Sequence, residues 1–188
     1  GKSGDGCGLL MRKPDAFLRQ AAAGAGIELG EHYGVGMVFL NRDPAMAEAA
    51  RAELQAELER QGLAVAGWRA VPVNPDACGE ESRESLPDIV QIFVNSPAGM
   101  LLEVFERHLF VARRRASQRI QARDPVYYAP SLSSRLISYK GLVMPANLPV
   151  FYPDLGDERL ESSICLFHQR FSTNTLPQWR LAQPFRYL

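Results

Sequence analysis

The chain has 188 residues, 46% of them hydrophobic, which is enough for about one domain with a sizeable core. Its 21 basic and 21 acidic residues cancel, so no net field steers it to nucleic acid or to an anionic membrane surface. No apolar run approaches the roughly 20 residues that span a bilayer, and the opening Gly1-Lys2-Ser3-Gly4-Asp5-Gly6 lacks the apolar stretch of a signal peptide, so a soluble, cytoplasmic protein is expected.

In chain order, Tyr33 to Leu40 is a compact apolar run rich in strand formers and predicts a strand. Asp43 then offers an N-cap and Pro44 suits a first helical position. Met46, Ala50, Leu54 and Leu58 recur every four residues until Gly62, which predicts a helix with one apolar stripe. Its other positions, among them Glu48, Arg51, Glu53, Glu57 and Arg60, read as a solvated charged face. Leu63 to Val73 is extended, and a loop is expected from there to Pro87. Asp88 to Asn95 predicts a second buried strand. Pro97 opens the longest helix, with Leu101, Leu102, Phe105, Leu109 and Ala112 on one face.

The last turns of that helix carry Arg113, Arg114, Arg115 and Arg119, cations that complement a helix C-terminus as readily as they would bind a polyanion. Val126 to Leu142 reads as a hairpin around the polar turn Ser131 to Ser134. Three prolines, Pro145, Pro149 and Pro153, punctuate a connector, and Ile164 to Phe167 reads as a buried strand. Successive strands without intervening helices imply an antiparallel or mixed sheet.

The densest chemistry is the octapeptide His168 to Thr175 at the end of that last strand. There Arg170 supplies a planar fork of donors and Ser172, Thr173 and Asn174 supply short polar groups, a set that suits a carboxylate pocket. An arginine paired with a surface acid is the plainer alternative. Gly4-Asp5-Gly6-Cys7-Gly8 permits a tight turn with close backbone approach. Cys7 reads as a loop thiol for which His168 is a conceivable base, or else as an inert buried thiol. The three cysteines, Cys7, Cys78 and Cys165, form no C-x-x-C pair and no histidine pair has ligand spacing. This speaks against a zinc or iron–sulfur site in these residues and for a reducing compartment.

Several segments resemble, in order and across nearly the whole chain, the glutaminase domain of the glutamate synthase family. They are Gly4-Asp5-Gly6-Cys7-Gly8-Leu9-Leu10, Tyr33-Gly34-Val35-Gly36-Met37, Gly67-Trp68-Arg69 through Pro72-Val73-Asn74-Pro75, Ser131-Leu132-Ser133-Ser134-Arg135, Tyr139-Lys140-Gly141-Leu142, Phe151-Tyr152-Pro153-Asp154-Leu155, and Arg170-Phe171-Ser172-Thr173-Asn174-Thr175 through Ala182-Gln183-Pro184-Phe185-Arg186. The resemblance implies a class II glutamine amidotransferase domain of the α+β class. Its fold is an αββα sandwich of antiparallel sheets of the N-terminal-nucleophile hydrolase type, present here incompletely over residues 1–188.

It also implies that an N-terminal cysteine attacks the side-chain amide of glutamine. The ammonia released is channelled to a synthase domain of the same polypeptide that converts 2-oxoglutarate to glutamate with FMN and an iron–sulfur cluster, in some members with a small reductase subunit. No cofactor, metal, nucleic acid or membrane is expected for this segment. Carried over residue by residue, Arg170 matches the arginine that holds the glutamine α-carboxylate, Phe171 and Thr173 line the same pocket, Asn174 stands at its edge, and Asp5 lies in a loop near the active site.

The chain departs from the family pattern where Gly1 stands in place of the nucleophile, where the oxyanion-hole Asn-Gly pair should follow Leu188, and at Gln169, where a small polar residue is usual. The expectation is therefore an internal fragment without activity of its own. A non-catalytic glutamine-binding or assembly module, or another class II amidotransferase, are the alternatives.

Overall fold

The computed structural model describes residues 6–169 and 176–185. In chain order the elements are β1 (Cys7–Arg12), α1 (Asp15–Gly24), β2 (Tyr33–Leu40), α2 (Pro44–Arg60), β3 (Ala64–Ala70), α3 (Glu80–Glu84), β4 (Asp88–Asn95), α4 (Leu102–Gln121), β5 (Tyr128–Ser133), β6 (Leu136–Gly141), α5 (Leu148–Phe151) and β7 (Cys165–His168), with short 3-10 turns in several connections.

Two antiparallel sheets result, one in the order β3-β4-β2-β5 and the other β6-β1-β7. Two antiparallel sheets with helices form the α+β arrangement implied by the family resemblance. Alternation along β2 sorts its side chains between two cores. Tyr33, Val35, Met37 and Phe39 point to the core shared with Cys7, Met11, Ile137 and Tyr139 of the three-stranded sheet. Val38 and Leu40 point to a second core under α2 and α4. Among the described residues these two long helices cover the four-stranded sheet only.

The helix α2 begins as its sequence dictates, with the Asp43 side chain accepting from the Ala45 and Met46 amides and Pro44 following. In α4 the buried residues Phe105, Leu109, Ala112, Ala116 and Ile120 recur at three- and four-residue steps. The larger of these each contribute about 1.5–3 kcal/mol of transfer free energy.

Several expectations need correction. Glu57 is not on a solvated face: it is buried, and Arg60 and Arg119 reach it at 2.7 and 2.8 Å. The basic end of α4 is accordingly partly internal, for Arg113 is buried too and donates to the Ala129 carbonyl at 3.1 Å. The helix itself starts at Leu102 rather than Pro97, leaving Leu101 and Leu102 exposed.

The pair β5 and β6 is no ordinary hairpin, because β5 joins β2 while β6 joins β1 in the other sheet, so the Ser134-Arg135 corner carries the chain between sheets. Ser131 and Ser133 sit inside β5, buried, instead of in a turn. Finally β7 is an edge strand, not a buried one: Leu166 is 56% and Phe167 65% exposed. An apolar run marks extended backbone, but burial depends on neighbours, and among the described residues β7 pairs with β1 alone.

Between the sheets lies a largely buried polar network. Arg69 of β3 grips Asp154 with two hydrogen bonds of 2.7 and 2.8 Å and donates a third to Gln91. The Tyr139 hydroxyl donates to the same Asp154 at 3.0 Å and accepts from Gln91 Nε2. Burial works against the charge on Arg69, but the Asp154 contacts outweigh it and its pKa is raised. Three separate strands and the Pro153–Gly156 turn are thereby tied at a single point.

Candidate active site

The sequence-predicted site residues Asp5, Arg170, Phe171, Thr173 and Asn174 lie outside the described residues. The residues that flank them in sequence are described, and they converge. Asp5 precedes Gly6 and Cys7, where β1 begins. Arg170 to Thr175 follow β7, whose His168 pairs with Gly8 one residue into β1. After Leu176 the chain returns to the same point.

The returning segment, the 3-10 turn Trp179–Leu181 and the residues up to Phe185, lies as a strap across the start of β1. Ala182 packs on Gly6, and the carbonyl oxygen of Gln183 comes so near Gly8 that a Cβ there would stand 2.7 Å from it and 2.8 Å from the Tyr139 carbonyl. Only a residue without a side chain permits this approach. Trp179 inserts into the core between the sheets, edge-on to Phe39 and tilted against Phe151, and its ring occupies the space a Cβ on Gly141 would need. Its indole N–H is satisfied by the Ser82 carbonyl at 3.1 Å.

Lys140, opposite Gly8 on β6, is fully buried and holds the strap. Its ammonium donates to the Ala182 carbonyl at 2.6 Å and to the Arg180 carbonyl at 3.1 Å, between the rings of Tyr128 and Phe185 at 4.6 and 4.5 Å. Burial, with a smaller push from the Arg113 charge, lowers its pKa to about 7. Tyr152 accommodates the strand carbonyl of Lys140 by donating its hydroxyl at 2.8 Å.

Cys7 is not a loop nucleophile. It opens β1, is buried, and donates its thiol to the Val143 carbonyl at 3.2 Å; burial pushes its pKa up to about 12. Nor can His168 serve it. His168 stands opposite Gly8, and since neighbouring residues of a strand face opposite sides, Cys7 and His168 belong to opposite faces of the sheet. His108 is occupied by the Gln61 carbonyl at 2.9 Å.

Iodoacetamide at pH 8 is expected to label exposed Cys165 and to leave Cys7 and Cys78 intact while the chain is folded, as mass spectrometry of the digested protein would read. Labelling of Cys7 at the rate of Cys165 would contradict its buried position. Among the described residues no cluster of three or more His, Cys, Asp or Glu is placed to hold a metal ion.

Sequence reasoning missed β1, which it read as a glycine turn, and with it the strap and Lys140. The signal available was the alternation Cys7, Leu9, Met11, too short beside three glycines to suggest a strand. It also missed α1, which buries Phe17, Leu18 and Ala22.

A sequence model of the class II glutamine amidotransferases matches residues 1–188. The glutamate synthase [NADPH] large chain of Azospirillum brasilense is 41% identical over 191 aligned positions, covering 100% of this chain and 13% of the relative. The glutamate synthase [NADPH] large chain of Bacillus subtilis is 40% identical over 187, covering 99% and 12%. A ferredoxin-dependent glutamate synthase of Synechocystis is 40% identical over 188, again covering 99% and 12%. The chain thus spans about an eighth of the length of these relatives. With a family model matching end to end and relatives at this identity over nearly all its residues, the chain belongs to the class II glutamine amidotransferases.

Proposed function

We propose that this chain is most of the glutaminase domain of a glutamate synthase and binds the glutamine whose side-chain amide is hydrolysed to glutamate and ammonia. The observation that carries this reading is the convergence at Gly8: Gly6, which follows Asp5 in sequence, and His168, two residues before Arg170, stand at one corner of the β6-β1-β7 sheet. Arg170 would hold the α-carboxylate of glutamine with its bidentate fork, Phe171 and Thr173 would line the pocket, Asn174 its edge, and Asp5 would lie close by.

None of the cysteines here suits the nucleophile's role, since Cys7 and Cys78 are buried and raised in pKa and Cys165 belongs to the edge strand. The reading therefore assigns the attacking thiol to a cysteine outside these residues, and the 188-residue chain by itself is expected not to hydrolyse glutamine. Ammonia would pass to a synthase domain of the same polypeptide that consumes 2-oxoglutarate. FMN and an iron–sulfur cluster would supply electrons there, with a reductase subunit or ferredoxin as donor, and the setting would be the cytoplasm. No helix among the described residues is long and apolar enough to cross a membrane.

The test is Arg170→Lys in the full-length protein. An ammonium cannot replace the planar fork, and losing a charged, paired contact of about 1.5–3 kcal/mol corresponds to a rise in the glutamine KM of roughly tenfold to a hundredfold. An unchanged KM removes Arg170 from the pocket. Glutamine binding without hydrolysis by the full-length protein would favour a non-catalytic module instead.

A further inference from the structure

We propose that the cleft between α2 and α4 is a separate binding site, which takes a free α-amino acid with an apolar side chain. The cleft has a volume of about 330 Å³, and Ala45, Met46, Ala49, Ala50 and Ile120 make its wall apolar. That volume is at the lower end for ligand pockets and suits a molecule of amino-acid size. The cleft belongs to the helical layer over the four-stranded sheet, and the inference does not depend on the glutaminase reading.

Asp124, just past the end of α4, lines the cleft and is only 3% exposed. Its Oδ1 accepts from the Asn41 side chain and from the Val126 amide, each at 3.0 Å. Its Oδ2 has no hydrogen-bond donor among the described residues. A buried carboxylate oxygen in that state carries a desolvation cost that a donor relieves, and an ammonium relieves it best because it also brings the opposite charge.

The other charges of the cleft divide into one that is engaged and one that is not. Arg119 donates to Glu53 at 3.0 Å and lies 2.8 Å from buried Glu57. Arg123 is exposed at the rim and forms no ion pair among the described residues. One carboxylate and one guanidinium thus remain, on successive residues, beside an apolar wall. An ammonium at Asp124, a carboxylate at Arg123 and a branched aliphatic side chain against Met46, Ala49 and Ile120 complement that set. A bare amine would leave Arg123 unanswered, and a bare carboxylate would meet the like charge of Asp124. Glutamine would set its side-chain amide against the apolar wall without a partner, so the cleft discriminates against it.

The test is equilibrium dialysis of radiolabelled L-leucine against the full-length protein, with an expected Kd of about 1 mM or tighter. Ala49→Phe, which puts a ring into the cleft from an exposed position, should abolish the binding with the fold intact. Asp124→Asn and Arg123→Gln should each weaken it at least about tenfold, the loss of one charged hydrogen bond. Isoamylamine, which lacks the carboxylate, and 4-methylpentanoate, which lacks the amine, should bind at least about tenfold more weakly than leucine. Absence of leucine binding up to about 10 mM overturns the proposal and leaves Oδ2 to water. Leucine that still binds to Ala49→Phe, or that glutamine displaces as readily as leucine does, is bound elsewhere and overturns it as well. Isoamylamine binding as tightly as leucine sinks the amino-acid assignment. Asn41 and Val126 also depend on Asp124, so if Asp124→Asn does not fold, Ala49→Phe and Arg123→Gln, both at exposed positions, decide the outcome.

Discussion

Replacing Asp154 by alanine is expected to destabilise the chain by about 2–4 kcal/mol, because it strips a largely buried guanidinium of its counter-charge. Arg69 and Asp154 have side-chain exposures of 13% and 5% and line a surface pocket with Phe17, Gln20 and Pro153, so water can reach the guanidinium from that side and offset part of the loss. The Tyr139 hydroxyl would lose its acceptor in the same step, and Gln91 would be left to satisfy both neighbours. Urea unfolding of the chain measures this as a shift of the midpoint.

The companion variants separate charge from hydrogen bonding. Asp154→Asn keeps an acceptor for Tyr139 and should lose about 1–3 kcal/mol. The pair Arg69→Met with Asp154→Leu, which removes both charges, should lose less than Asp154→Ala alone. If Asp154→Ala unfolds within about 1 kcal/mol of the unmodified chain, the network is not the tie between the sheets that its geometry implies.

Gly8→Ala is expected to lower glutamine hydrolysis by the full-length protein strongly while leaving the chain folded. The added Cβ would meet the Cβ of Lys140 and the carbonyl oxygens of Gln183 and Tyr139, and none of these can turn aside by a change of rotamer. Either the strap lifts or β1 parts from β6. Overpacking of this kind costs about 1–3 kcal/mol, so the fold should survive, while glutamine hydrolysis by the full-length protein should fall at least about tenfold as the strap loses its seat. Gly24→Ala is the silent comparison, since nothing lies within 4 Å of the Cβ it would add. Normal glutamine kinetics in Gly8→Ala would detach the strap from the site.

The elements with one clear period were legible in the amino-acid sequence alone. The strands β2 and β4 occupy the predicted Tyr33–Leu40 and Asp88–Asn95, and α2 has the cap, the proline and the spacing that its sequence advertises. These are local matters: an apolar run, a side chain that satisfies free amides, a repeat near 3.6 residues. What failed were statements about neighbours. Ile164 to Phe167 reads as buried and is exposed, whereas the face of α2 that bears Glu57 reads as solvated and is internal. Burial is decided by what packs opposite, and for Glu57 it is Arg119, far away in sequence on α4.

By itself the sequence determined the family, the antiparallel α+β class, and the strands and helices with strong periods. Only the tertiary structure decided that Cys7 is a core thiol, that β7 and the strap of Trp179 to Phe185 both meet β1 at Gly8, and that Lys140 hydrogen-bonds the strap there. The physical reason is range. Capping and periodicity act over a few residues, whereas the corner joins β1 to residues more than 150 positions away through hydrogen bonds and a glycine-sized gap that no local pattern records.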